Sequence, residues 1–148
     1  MFLDNHPSRS LIPTMGRFIK ELHGVIELEL CRANVPLNIS QTIALRWLAE
    51  QDGRPQIDLA LITNRDKTTL TRLLATMEKK DLITRRKCEE DRRVNRVYLT
   101  DHGRSLIHSA LPIVHEVVDH ALAGVDAGQI ASAIAMVRTM HTNLNEEV

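Results

Sequence analysis

The sequence is poor in the residues that mark several protein classes. Its two cysteines, Cys31 and Cys88, are too few for a disulfide framework. Only six glycines occur, with no phosphate-cradling glycine-rich loop, no GxSxG elbow and no HExxH pair. No apolar run approaches the roughly 18 residues of a membrane span, and the stretch up to Met15 does not suit a signal peptide. We therefore expect a cytoplasmic protein that is not an enzyme, needs no cofactor and contacts no membrane.

An excess of either charge is also missing. The 148 residues, a length that suits a single domain, include 19 Lys or Arg and 19 Asp or Glu. The charge is nevertheless unevenly placed, because the segment from Arg65 to Arg96 holds 11 basic and 6 acidic residues, and the remainder 8 and 13. A neutral protein with one basic surface can still bind a polyanion, since the local field governs phosphate contacts. The alternative is a solvated charged surface.

A helix with two contrasting faces is predicted after Asp66. Asp66 is a suitable N-cap, and apolar residues follow at three- and four-residue spacing from Leu70 to Met77. The other face begins with cations and short hydroxyl side chains, as a recognition helix does where it meets base edges and phosphates. These candidate DNA-binding residues are Lys67, Thr68, Thr69, Thr71 and Arg72.

A shorter helix is predicted just before it, over the apolar run from Ile57 to Ile62. Thr63, Asn64 and Arg65 would form the turn between the two helices, with Asn64 suited to a left-handed conformation. Arg65 joins the candidate DNA-binding residues. The two helices together predict a helix-turn-helix.

The period of the pattern changes from helical to alternating after Lys80. Two half-buried strands are predicted, one beginning at Ile83 and one ending at Leu99, with a loop from Cys88 to Asn95 between them. Arginines at the tip of such a hairpin can reach phosphates or a narrow minor groove. The hairpin contributes Arg92, Arg93 and Arg96 to the candidate DNA-binding residues. We thus predict a mostly α-helical fold with a small β-hairpin wing.

The order of these motifs resembles the MarR family of bacterial winged-helix regulators. The matching residues are Leu59-Ala60, Lys67 to Leu73, Met77 to Lys80, Leu82-Ile83, Asp91-Arg92-Arg93, Leu99-Thr100 and Gly103, and more weakly Leu37 to Gln41. The resemblance implies a transcriptional regulator, most often a repressor, in which Arg93 enters the minor groove and Asp91 holds the wing in shape. One departure is Asp81, where the family usually has a glycine at a position that often needs a positive φ.

Apolar stripes at both ends of the chain suit a dimer. One runs from Leu11 to Ile26 and another from Ile130 to Leu144. In the MarR family the matching helices of two subunits intertwine, so the resemblance implies a homodimer. Within a single domain of residues 1–148, we assign about 37–100 to the winged helix-turn-helix, and about 10–34 and 101–146 to dimerisation helices. The alternative is that the stripes only fill the core of one chain.

The resemblance also implies a small, often anionic aromatic effector between the dimer helices and the winged unit. The candidate residues are Phe18, Leu22, His23 and Trp47. These side chains would otherwise simply pack or face solvent. Seven histidines form no set with metal-ligand spacing, and His108, His115 and His120 are at most a loose cluster. We therefore predict no metal site.

Cysteine chemistry offers another mode of control. Cys88 follows Arg85, Arg86 and Lys87, and nearby cations lower the pKa of a thiol, which would suit a redox-responsive wing. The acidic residues that follow it oppose this effect. Cys31 ends an apolar helix and is expected to be buried.

These patterns predict a homodimeric, ligand-responsive regulator that binds a pseudo-palindromic operator in double-stranded DNA. The alternative from another class is a winged-helix protein-interaction module. Such a module has no need of Arg92, Arg93 and Arg96 beside a helix face of threonine and arginine.

Overall fold

The structure, a computed structural model, describes residues 7–63 and 65–146. Asn64, which was predicted to adopt a left-handed conformation in the turn, lies outside the described residues. Helices and strands follow one another along the described chain in the order α1 Pro7–Arg32, α2 Ile39–Glu50, β1 Arg54–Pro55, α3 Gln56–Thr63, α4 Lys67–Lys79, β2 Ile83–Lys87, β3 Asn95–Leu99, α5 Asp101–Ala121 and α6 Ala127–Glu146. The predicted mostly helical fold with a small wing is confirmed.

The helix-turn-helix packs on a core supplied by α1, α2, α5 and the sheet. Helix α2 begins with a capping box, in which the Asn38 side chain accepts from the Gln41 backbone N–H and the Gln41 side chain accepts from the Asn38 N–H. The box provides side-chain acceptors for two backbone N–H groups that have no carbonyl partner within the helix. The largest fully buried apolar side chains are Leu30, Leu45, Leu48, Leu59, Leu70, Leu74, Met77, Leu82, Ile83, Val97 and Ile107.

Three antiparallel strands form one sheet in the order β1-β3-β2. The predicted hairpin is β2 paired with β3, with Arg85 opposite Val97. The two-residue strand β1 was not predicted, and it adds Arg54 and Pro55 to the outer side of β3. A proline suits an edge strand because it has no N–H to donate to a ladder. Strand β3 begins one residue earlier than expected, at Asn95.

Helix α5 approaches the backbone of Leu82, just before β2, so closely that only a glycine fits at the contact. A Cβ added to Gly103 would lie 2.0 Å from the carbonyl oxygen of Leu82. The Leu-Thr-x-x-Gly signature therefore has a steric cause in this chain. It fixes the first turn of α5 against the start of the wing.

Two compact units divide the described chain, one ending at Val117 and one beginning at Val118. In the first, the inner face of α1 buries Ile26 and Leu30, while Phe18 is 46% exposed. In the second, Ile134 and Val137 of α6 are 48% and 42% exposed. No described helix is long and apolar enough to cross a membrane.

The expectation for Cys31 was wrong, because its side chain is exposed. Successive residues on a helix point about 100° apart, and the neighbouring Leu30 occupies the direction that faces the core. An apolar helix therefore does not bury every apolar residue near its end.

Candidate nucleic-acid interface

The recognition helix α4 begins at a well-formed cap. The Asp66 carboxylate accepts from the Thr69 backbone N–H at 2.9 Å and from the Thr69 hydroxyl at 2.6 Å. The hydroxyl bond, followed by the backbone bond, lowers the pKa of Asp66. Thr69 thus serves the cap with its hydroxyl and is half-buried, which leaves it less available to DNA than its neighbours.

The two faces of α4 differ as its pattern predicts. Leu70, Leu74 and Met77 are buried, and the helical period puts Thr68 and Arg72 on the side away from them. The exposed residues in the first half of the helix are Lys67, Thr68, Thr71 and Arg72. The Thr71 hydroxyl already donates to the Lys67 carbonyl oxygen at 2.8 Å, so toward a base it would act as an acceptor.

Arg65 lies against the first turn of α2. Its Nη2 atom donates to the Ser40 hydroxyl oxygen at 2.7 Å. This bond connects residues 25 positions apart in the sequence and orients a guanidinium beside the recognition helix. Sequence analysis missed Ser40, and no local pattern would have found it.

An ion pair fastens the wing to α4. Arg85 Nη2 lies 2.6 Å and Nε 2.9 Å from Glu78 Oε2, and the Arg85 backbone N–H donates to Oε1. The guanidinium of Arg85 holds the pKa of Glu78 below its ordinary value. These three bonds connect the first strand of the wing to α4. Sequence analysis did not predict this pair.

The loop at the end of the wing is closed by Asp91. The Asp91 carboxylate accepts from the Arg93 backbone N–H at 3.0 Å and from Arg93 Nε at 3.2 Å, and the former bond is the larger cause of the lowered pKa of Asp91. The Asp91 carbonyl also accepts from the Val94 N–H. The Arg93 side chain stays 91% exposed, and Arg92 is exposed as well. This geometry suits the wing-shaping role predicted for Asp91.

Arg96, by contrast, turns toward the protein. Its Nη1 donates to the Gly53 carbonyl oxygen at 2.8 Å, and its Nε approaches Cys88 Sγ at 3.5 Å. The half-buried Arg96 therefore braces the base of the wing, while Arg92 and Arg93 point outward. Its bond to the thiol is the main reason that the pKa of Cys88 is lowered; backbone N–H groups of the loop contribute less. The expected effect on Cys88 exists, but Arg96 is its main source.

The candidate effector residues do not line the clefts bordered by Cys31 and Lys80, by Ser40 and Arg72, or by Lys67 and Arg93. Trp47 is covered on one side by Arg54, whose guanidinium carbon lies 5.2 Å from the ring centre. Phe18 is exposed, and Leu22 and His23 are half-buried on α1. Within the described part of the chain, no three His, Cys, Asp or Glu side chains are grouped as they would be to hold a metal ion.

Comparison with known proteins shows which family this chain resembles. The sequence profile of the MarR family matches residues 37–94. The "Uncharacterized HTH-type transcriptional regulator YdgJ" of Bacillus subtilis (strain 168) is 31% identical over 135 residues, which cover 88% of this chain and 80% of the relative.

Two solved structures share the fold. A structure of Bordetella bronchiseptica BpsR, described as regulated in its DNA binding by 6-hydroxynicotinic acid, is 19% identical, with a TM-score of 0.78 and 92% of this chain and 96% of that chain covered. The transcriptional regulator MOSR of M. tuberculosis, solved in complex with DNA, is 24% identical, with a TM-score of 0.73 and 90% and 96% covered. The signatures, the fold and the relatives agree: the chain belongs to the MarR family of transcriptional regulators.

Proposed function

We propose that the chain is a homodimeric repressor that binds a pseudo-palindromic operator in double-stranded DNA. In each half-site the N-terminal half of α4 enters the major groove, and Arg93 enters the adjacent minor groove. The protein acts in the cytoplasm and is not an enzyme. The observation that carries the proposal is the pairing of an exposed cationic helix face with an exposed arginine tip, joined by the Glu78–Arg85 ion pair.

The contacts divide by their chemistry. Arg72 is exposed on the outer face of α4 and can read a guanine edge with two parallel hydrogen bonds. Lys67, Arg65 and Arg92 suit phosphates, which fix orientation without reading sequence. Arg93 suits the enhanced negative potential of a narrow minor groove. Arg96 we assign to bracing the wing, because both of its described bonds are internal.

A dimer is supported by the apolar side chains that are left uncovered in each unit. On α1 these are Ile12, Phe18, Ile19, Val25 and Leu28, and on α6 they are Ile134, Met136, Val137 and Leu144. Such apolar surface is usually covered by a partner. A two-fold axis would place two recognition helices about 34–36 Å apart, one turn of DNA.

Selection of bound duplexes from a random DNA pool tests the proposal directly. We expect a consensus with two inverted half-sites, because a two-fold protein reads a two-fold sequence. A consensus with one half-site would argue against the dimer on DNA. No enrichment over the starting pool, with a folded protein, would overturn DNA binding and favour the protein-interaction module.

We also propose control by a small anionic aromatic effector near Phe18, Leu22, His23 and Trp47. The support is the ligand regulation stated for BpsR and the position of Trp47 next to Arg54. An effector changes operator affinity only through its preference for one arrangement of the dimer. Titration with salicylate-like compounds should quench the single tryptophan and release DNA together.

A redox mechanism is the competing form of control, favoured by the Arg96 contact to Cys88. Suppose that an oxidant releases DNA from the wild type but not from Cys88→Ser, and that the aromatic compounds have no effect. Control would then act through oxidation of Cys88 and not through an aromatic effector.

A further inference from the structure

A cleft of about 460 Å³ lies between α3, the start of α4 and the far end of the wing loop. Lys67 of α4 and Arg93 of the wing both line it, and so do Gln56 and Ile57 of α3 and Asn95 of β3. No carboxylate is among the described residues that line it. The cleft therefore combines two cations, two carboxamides and an apolar wall.

Two features of this cleft have no role in the fold of the single chain. The Gln56 side-chain oxygen is buried and has no hydrogen-bond partner, alone among the described side-chain atoms with that degree of burial. Leaving such a group unpaired costs free energy, so a native structure has a reason for it. The next residue, Ile57, borders the same cleft, and its apolar side chain is 71% exposed.

We propose that this cleft binds one backbone phosphate, with its deoxyribose, of the DNA strand that separates the two grooves read by the protein. The inference rests on the proposed function, in which α4 lies in the major groove and Arg93 in the adjacent minor groove. The strand between those grooves must then pass over the surface between α4 and the wing. That surface is the cleft.

Each side chain has a defined part in this contact. Lys67 and Arg93 supply positive charge from the two sides of the strand. Asn95 donates from its carboxamide to a phosphate oxygen. Gln56 does the same through Nε2 once its side chain turns out toward the strand, which also ends the burial of its unpartnered oxygen. The exposed face of Ile57 packs against the deoxyribose, which has apolar carbon atoms on that side.

Neutral phosphate analogues test the contact on the duplex that the protein selects from a random pool. A methylphosphonate, placed one position at a time, removes a single charge from the strand. We expect one position in each half-site, between the α4 and Arg93 contacts, where the substitution weakens wild-type binding about tenfold. At that position the effect should be much smaller in Lys67→Ala and in Gln56→Met, because the partner of the lost charge is already gone.

The apolar part of the contact has a matched control on the same helix. Ile57→Ser should weaken binding several-fold with an unchanged salt dependence. Leu61→Ser, one turn along α3, removes a side chain that is 79% exposed and does not line the cleft, and it should leave affinity unchanged. Both variants should melt like the wild type, because neither side chain is in the core. Equal effects of the two variants would contradict the inference.

The outcomes separate this inference from the proposed function. If the wild type selects and binds a duplex but no methylphosphonate position couples to Lys67 or Gln56, the cleft does not hold the strand, although DNA binding stands. If no duplex is bound, the proposed function itself fails. Asn95→Ser provides an independent variant should Gln56→Met fold poorly, and it should show the same loss of coupling at the same position.

Discussion

The hydroxyl of Thr100 donates a hydrogen bond to the carbonyl oxygen of Asp81, 19 residues earlier in the chain. Thr100 also donates its backbone N–H to the Leu82 carbonyl oxygen at 3.1 Å, and its hydroxyl oxygen accepts from the Gly103 N–H at 2.9 Å. One threonine thus joins the corner after α4 to the first turn of α5. The corner itself requires an unusual backbone, since Asp81 has φ of 55°.

Asp81→Gly should stabilise the protein. A left-handed backbone is unfavourable for residues with a Cβ, and glycine adopts it without that cost. The exposed Asp81 side chain has no described hydrogen bond or ion pair to lose. We expect the free energy of unfolding in urea to rise by about 1 kcal/mol. A loss of stability would show that the aspartate favours this corner in some other way.

Glu78→Gln should destabilise the protein by about 1 kcal/mol near neutral pH, a modest effect because the pair is partly solvated. Arg85 lowers the pKa of Glu78 in the folded state. The pair therefore contributes fully to the free energy of unfolding at pH values above the unfolded-state pKa of about 4.3, and this contribution is lost as the pH falls through the folded-state pKa. The difference between the two proteins should therefore be constant at higher pH and shrink under acid conditions. Urea unfolding at a series of pH values measures this difference in stability. A difference that grew as the pH fell would contradict the ion pair between Glu78 and Arg85.

Local periodicity was enough to predict α3, α4 and the two wing strands. In each of these elements, the residues that define the pattern are close together in the sequence. In α4, the apolar stripe is the side that packs on the core. The position of the wing loop was predicted from the same patterns, whereas the role of Asp91 was implied only by the family resemblance; its bond to Arg93 spans two residues.

Contacts between distant residues could not be predicted. The bonds from Arg65 to Ser40 and from Arg96 to Gly53 join positions 25 and 43 residues apart. Strand β1 exists only because β3 supplies its partner, and two residues carry no period of their own. The direction of Arg96 was therefore missed, although its strand was predicted.

Arg72→Ala should cost about 1–3 kcal/mol of operator binding and relax sequence preference within the half-site. Arg93→Ala should weaken binding chiefly where the flanking sequence is A·T-rich. Arg46→Ala is a suitable control, since it removes an exposed arginine paired with Glu50 on α2. Fluorescence anisotropy over a range of salt concentrations measures all three. Wild-type affinity in the Arg72/Arg93 double variant at moderate salt would exclude this surface as the DNA contact.

Ile134→Glu and Val137→Glu should convert the proposed dimer to monomers. Both side chains are exposed within the single chain, so a charge there harms folding little, whereas a buried unpaired charge in a dimer interface is costly. Ser132→Glu, at an exposed polar position of the same helix, is the matched control. Sedimentation should show the control at twice the mass of the two variants. Dimers in all three proteins would place the interface elsewhere.

Arg96→Met should make Cys88 less reactive. The hydrogen bond from Arg96 stabilises the thiolate and lowers the pKa of Cys88, so its removal raises that pKa and reduces the thiolate fraction at neutral pH. In a Cys31→Ser background, which leaves one thiol, alkylation by iodoacetamide should be slower at pH 7, and its pH profile should shift upward. Arg92→Met removes an exposed wing arginine that does not contribute to the shift, and its profile should match that of the parent. Identical profiles for the Arg96 and Arg92 variants would mean that the thiol owes its pKa to the loop backbone alone.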